Sequence, residues 1–181
     1  MKEKIMEIMD GLSKLGGDWA KSEFLPVRTM TPKKKGVFGE RTYIAFLDDQ
    51  GIKHQKSDST DYDVKVGRQR VEVKMATRTN KNKQGNFSLT FFQIRQTQDY
   101  DTLVFVCIYP EYIDIRQISK KDFMSFASQH PKQIIWAGGQ KKRTACNGNV
   151  NRNDLFHFII PNNAWGDKFV SLAKIWSATN Q

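Results

Sequence analysis

Several things are scarce in this sequence, and each shortage removes a class of answers. There are two cysteines, Cys107 and Cys146, far apart and in no CxxC pair. That excludes a disulfide-built scaffold and a zinc finger, and fits a reducing compartment such as the cytoplasm. No apolar run reaches the roughly 20 residues that a membrane-spanning helix needs, so no membrane partner is expected. The opening MKEKIMEIMDGLSKLGG carries acids among its apolar positions, unlike a signal peptide, and the chain reads as soluble and unprocessed. His54, His130 and His157 have no partner at a metal-ligating or nucleophile-activating spacing. Gly36 and Gly39 do not make a phosphate-cradling loop and Gly138-Gly139 stands alone, so no small-molecule cofactor is implied.

Acids are scarce as well. The chain has 29 Lys and Arg against 19 Asp and Glu, a formal net charge of +10, and such an excess on a small domain points to a polyanion, nucleic acid first. Its 181 residues suit one domain, 1–181, with apolar content sufficient for a packed core. Residues 2–15 place Ile5, Ile8, Met9, Leu12 and Leu15 at helical spacing. Pro26 to Lys35, with two prolines and three consecutive lysines, reads as a loop, and the following GVFGERTYIAFLDDQG reads as a helix closed by Gly51.

After Gly51 the apolar period becomes two. Val64 and Val66, then Val71, Val73 and Met75, mark two strands; FSLTFFQI (87–94) marks a third. QTQDYD then gives a short helical or loop connection. LVFVCIY (103–109) is a continuous apolar run of the kind buried on both sheet faces, and YIDIRQI (112–118) is its hairpin partner or an edge strand. A helix over 119–130 stops at Pro131. Residues 136–154, rich in Gly, Asn and basic side chains, read as a surface loop or small β subdomain; LFHFII is a late strand and KFVSLAKIW (168–176) a closing helix.

The pair of short strands carries the chemistry. Gly67-Arg68 fits a two-residue type II′ turn, which would set Val66 opposite Gln69 and Asp63 opposite Glu72. Two carboxylates at that separation repel unless a cation lies between them. A one-residue slip would send them to opposite faces, against the valine pattern. Lys74 shares the face of Glu72. Two carboxylates, the Val73 carbonyl and waters make the oxygen-rich shell that Mg²⁺ prefers, with Mn²⁺ a possible substitute, while Lys74 can orient a nucleophile and steady negative charge. That combination suits phosphodiester hydrolysis.

DYDV followed by Glu72-Val73-Lys74 resembles the signature of the PD-(D/E)XK nucleases, the core of many restriction endonucleases, archaeal Holliday junction resolvases and RecB-like exonucleases. KGVFGERTYIAFLDDQGI is similar to the resolvase-type opening, whose helix-borne glutamate would here be Glu40. The RecB-like Gln-x-x-x-Tyr element matches Gln96 to Tyr100, with Gln93 a competitor. The usual proline before the first acid is absent: Tyr62 precedes Asp63 and Thr60 precedes Asp61, so register selects Asp63 and leaves Asp61 secondary. The resemblance covers about residues 36–118.

It implies an α/β fold with a restriction endonuclease-like core, a central mixed β-sheet flanked by helices in the order αβββαβ, with residues 119–181 added for DNA contact. The implied activity is Mg²⁺-dependent endodeoxyribonuclease, restriction-like, with a junction resolvase or a non-catalytic nucleic-acid-binding module as alternatives. Catalytic residues would be Asp63, Glu72, Lys74 and Glu40, with Asp63 and Glu72 holding the metal. Double-stranded DNA would be held by Lys33, Lys34, Lys35, Arg78, Lys81, Lys83, Lys141, Lys142, Arg143 and Arg152. Cutting two strands takes two sites, so a homodimer is expected.

Overall fold

Two prolines that read as loop residues start helices instead. In the computed structural model, which describes residues 17–136 and 155–177, helix α1 is Leu25–Thr29 with Pro26 in its first turn. Helix α2 is Pro32–Asp49. A proline at the first helical position loses no intrahelical hydrogen bond, and Thr31 caps α2 by accepting from the Lys34 N–H. Lys33, Lys34 and Lys35 therefore form the first turn of α2 rather than a loop. The helix closes as expected at Gly51, whose φ of +65° suits glycine, while the Ile52 N–H reaches back to the Leu47 carbonyl.

Six strands follow: β1 (His54–Lys56), β2 (Val64–Val66), β3 (Gln69–Thr77), β4 (Ser88–Arg95), β5 (Thr102–Ile108) and β6 (Tyr112–Ser119). Helix α3 (Lys120–Gln129), capped by Ser119, leads to β7 (Ile134–Trp136), β8 (Leu155–Pro161) and β9 (Val170–Trp176). The protein is a mixed α/β structure with a six-stranded sheet in the order β1-β2-β3-β5-β6-β9, in which β3 and β5 are parallel and the other neighbours antiparallel. A second, antiparallel sheet has the order β4-β8-β7.

Four expectations change. The third strand, β4, belongs to the second sheet rather than beside β3, because the parallel β3 and β5 need a crossover and the chain uses β4 for it. Its apolar residues Leu89, Phe91 and Ile94 cover Leu103 and Phe105. Residues 96–101 form bends rather than the second helix of an αβββαβ order, since Arg70 holds Asp99 and Asp101 there. β6 is the hairpin partner of β5 but not an edge, because β9 pairs on its far side. The closing segment is strand β9 rather than a helix: it completes the ladder of β6, and Ser171 donates to the buried Asp114. The helix read over 2–15 and the basic loop of 137–154 lie outside the described residues.

The large sheet separates two cores. On one face Trp19, Val27, Tyr43 and Leu47 pack on Val71, Val73, Val104 and Ile115. On the other, Phe105 meets Phe91, Phe123, Phe158 and Phe169 from the small sheet, α3 and the approach to β9. Every residue of β5 is buried, as its unbroken apolar run implies.

Gly39 sets how closely α2 approaches β3. A Cβ there would lie 2.7 Å from the Met75 Cβ, an atom that cannot swing away. At Gly36, three residues earlier on the same helix, a Cβ meets nothing within 4 Å. Alanine gains about 1 kcal/mol of helix propensity at either position. Overpacking at Gly39 costs about 1–3 kcal/mol. Urea denaturation should therefore show Gly36→Ala at or above wild-type stability and Gly39→Ala below it; equal behaviour of the two variants would refute the close approach.

Candidate active site

The β2–β3 hairpin is built as its turn residues dictate. Gly67 has φ +60° and Arg68 does not share the left-handed region, the pattern of a type II′ turn. Val66 pairs with Gln69 and Val64 with Val71. One step outward the ladder departs from the expected pairing: the Asp63 N–H donates to the Val71 carbonyl at 2.9 Å, so Asp63 joins Val64 against Val71, and it is the Asp63 carboxylate that reaches the Glu72 carboxyl. β2 begins at Val64, and ahead of it the Asp63 carboxylate extends the ladder by accepting the Val73 N–H through Oδ2 at 2.7 Å. Since N–H and C=O of one strand residue leave on the same side, the Val73 carbonyl opens to that edge as well.

Glu72 and Lys74 alternate with Val71, Val73 and Met75 and share the opposite face of β3. Glu72 is 5% exposed, and Lys74 Nζ lies 2.6 Å from its Oε1. Burial pushes the Glu72 carboxyl up to about 7; Lys74 opposes the rise, and the charge and hydrogen bond of Asp63 add to it. Burial, and then the charge of Asp63, also raise Glu40, against Lys56 at 3.8 Å. Asp63 is thus coupled to an acid on each side, Glu72 on its own hairpin and Glu40 on α2. Among the described residues no three His, Cys, Asp or Glu side chains form a ready-made cage for a cation. The arrangement is a facing pair with a third acid coupled through one member. A pair still fits Mg²⁺, which keeps waters and uses one or two carboxylates.

Asp61 lies outside the paired residues of the hairpin, and its backbone N–H donates to Ser59 Oγ at 3.1 Å. Gln93 and Gln96 are both exposed. The glutamine built into the fold is Gln98, whose Nε2 donates to the Thr60 carbonyl at 2.9 Å, three residues before Asp63. Lys120 Nζ donates to the Gln98 carbonyl at 2.6 Å and lies 4.7 Å from the Tyr100 ring. Three glutamines within six residues offer no periodic signal to single out Gln98. Arg70 grips Asp101 through Nε at 3.1 Å and Nη2 at 2.9 Å, also reaches Asp99, and thereby fastens the hairpin to the crossover. Hydrogen bonds from Arg70 hold the Asp101 carboxyl down to about 2.

The candidate DNA contacts divide. Lys33, Lys34, Lys81 and Lys83 are exposed. Lys35 is half-buried beside Thr77, and burial followed by the charge of Arg28 lowers its pKa. Arg78 leaves the set of surface cations: it is 2% exposed, pairs with Asp18 at 2.8 Å and stacks over Phe87. Lys141, Lys142, Arg143 and Arg152 lie outside the described residues. No described helix is long and apolar enough to cross a membrane.

No family model matches the chain, and no curated protein does. Among solved structures it is similar to the bacterial homing endonuclease I-Ssp6803I, with 22% identity and a TM-score of 0.37, over 52% of this chain and 70% of that one. A likeness that distant carries no argument about function, which rests on the site itself.

Proposed function

We propose that this protein is a metal-dependent endodeoxyribonuclease of the PD-(D/E)XK kind, restriction-like in action. The observation that carries the reading is the convergence of Asp63 and Glu72 across a tight turn, with Lys74 Nζ 2.6 Å from Glu72. The carboxylates of half-buried Asp63 and buried Glu72 meet in an otherwise basic stretch, and a cation would relieve their repulsion. Asp63, Glu72 and the Val73 carbonyl are the groups that would hold Mg²⁺, or Mn²⁺ in its place. When bound, the ion supplies Lewis-acid polarisation of a phosphate oxygen and lowers the pKa of a water.

The other roles belong to the chain. Asp63 is fixed in orientation by the Val73 N–H, so little freedom is lost when a ligand engages it. Lys74 brings a positive charge to the attacking oxygen and the phosphate. Glu40 is placed to assist beside Asp63, and exposed Lys33, Lys34, Lys81 and Lys83 contact the phosphate backbone. Two such sites in a homodimer would cut both strands.

The test is supercoiled plasmid incubated with Mg²⁺ and with EDTA. Nicking with Mg²⁺ alone supports a nuclease; discrete fragments indicate restriction-like specificity, and preference for a four-way junction indicates resolution. DNA binding with no metal-dependent nicking refutes the enzyme and leaves a binding module. Lys74→Met should lower the nicking rate by about a hundredfold or more. Its Mg²⁺ affinity, followed by calorimetry, should change far less, because both carboxylates remain. Equal losses of rate and metal affinity would assign Lys74 to holding the acids rather than to the chemistry.

A further inference from the structure

The second sheet contains the feature that the hydrolytic site leaves unexplained. In β4 the residues alternate between core and solvent until Phe91, then two successive side chains, Phe92 and Gln93, face outward before Ile94 returns to the core. The ladder to β8 shows why. Phe91 pairs with Phe158 and Ile94 with Phe156, so Phe92 and Gln93 together oppose the single residue His157. Gln93 sits at φ +59°, a left-handed backbone that costs a side-chain-bearing residue about 1 kcal/mol and that glycine would adopt freely. Phe92 is 57% exposed, the most exposed large apolar residue of the described chain, and its ring stands edge-on to His157 at 4.8 Å. Strain and an exposed aromatic coincide at one bulge, and neither helps the core.

We infer that the Phe92-Gln93 bulge is a base-contacting element for duplex DNA, with Phe92 pressing on a base step and Gln93 reading base edges in the groove. The inference rests on DNA being the partner, as in the proposed function. Charge supports the choice of ligand. No residue of β4, β7 or β8 is acidic, and the chain from Val73 to Gln98 contains no acid at all, while Lys81, Lys83 and Arg95 lie within it. A polyanion can approach this sheet without repulsion. The chemistry matches as well: a glutamine amide can pair in two places with an adenine edge, and apolar wedges are used to unstack a step. The reach also suits. Gln93 is five residues from Gln98, which is bonded to the loop carrying Asp63, so roughly 17 Å of extended chain at most separates the two glutamines. That is about five base pairs of duplex.

The experiment measures binding of the full chain to a fluorescent linear duplex in EDTA, over a range of salt concentrations, with thermal melting alongside. Gln93→Gly relieves the strained backbone, so its Tm should equal or exceed that of the wild type, yet its affinity should fall. Phe92→Ala should weaken binding about fivefold or more. Neither variant should change the slope of log affinity against log salt, because no phosphate contact is lost; Lys83→Ala should reduce that slope by about 1. Wild-type affinity in both bulge variants would overturn the inference, as would a wild-type chain that does not bind duplex. Because the measurement needs no turnover, it stands whether or not the protein nicks plasmid in Mg²⁺, and the two readings fail separately.

Discussion

Glu72→Gln should abolish metal-dependent plasmid nicking, by about a thousandfold or more, while leaving duplex binding in EDTA within a few-fold of wild type. The substitution keeps the shape and a hydrogen-bond acceptor for Lys74 but removes the charge that a divalent ion would require. Asp63→Asn should behave alike, since the asparagine oxygen can still accept the Val73 N–H and preserve the hairpin. Duplex binding should survive or tighten, because each change removes a negative charge from a basic region of the chain. Comparable cleavage by either variant would eliminate the carboxylate pair as the catalytic centre. Loss of cleavage together with loss of folding would instead appear in the melting curves.

The second expectation concerns stability and pH without metal. Glu72 has an ordinary value of 4.5 and is pushed up to about 7 in the fold, so between those values the folded chain holds a proton that the unfolded chain has lost. Its contribution is complete below 4.5 and disappears as pH rises through 7. The interval corresponds to roughly 3 kcal/mol, or about 6–12 °C in Tm for a chain of this size. Glu40 is raised too and acts in the same direction. Asp101, held near 2, acts oppositely, but its contribution is lost only as pH falls below about 4. Melting in EDTA from pH 5 to 8 should therefore show a falling Tm for the wild type and a flatter profile for Glu72→Gln, with Mg²⁺ restoring the wild type at pH 8. A wild-type profile as flat as that of the variant would mean that Glu72 is ionised throughout and not strained by burial.

The hairpin was the most legible part of the sequence because its signals agree. Gly67-Arg68 specifies the turn, the valines specify the faces, and together they leave one register, Val66 against Gln69 and Val64 against Val71, beyond which the Asp63 carboxylate reaches Glu72. β5 was equally plain from the unbroken apolar run LVFVCIY at 103–109. Failures came where local pattern met a tertiary demand. Pro32 and three lysines look like a loop until Thr31 is seen capping a helix. The segment 168–176 fits a helical period as well as an extended one, and only the open flank of β6 decides. The imperfect alternation of FSLTFFQI was itself the trace of the bulge at Phe92 and Gln93. Gln98 could not be distinguished from its neighbours, because its role depends on the Thr60 carbonyl from a distant loop.

The guanidinium of Arg70, locked onto Asp101 and Asp99, alters how the positive charge should be counted. Eight cations crowd the sequence from Lys65 to Arg95, but Arg70 and Arg78 are already neutralised by aspartates and Lys74 by Glu72. Lys65, Arg68, Lys81, Lys83 and Arg95 remain to displace counterions from a polyanion. Composition therefore overstates the electrostatic grip of this region, and whatever selectivity the protein has must come in greater measure from shape and uncharged contacts.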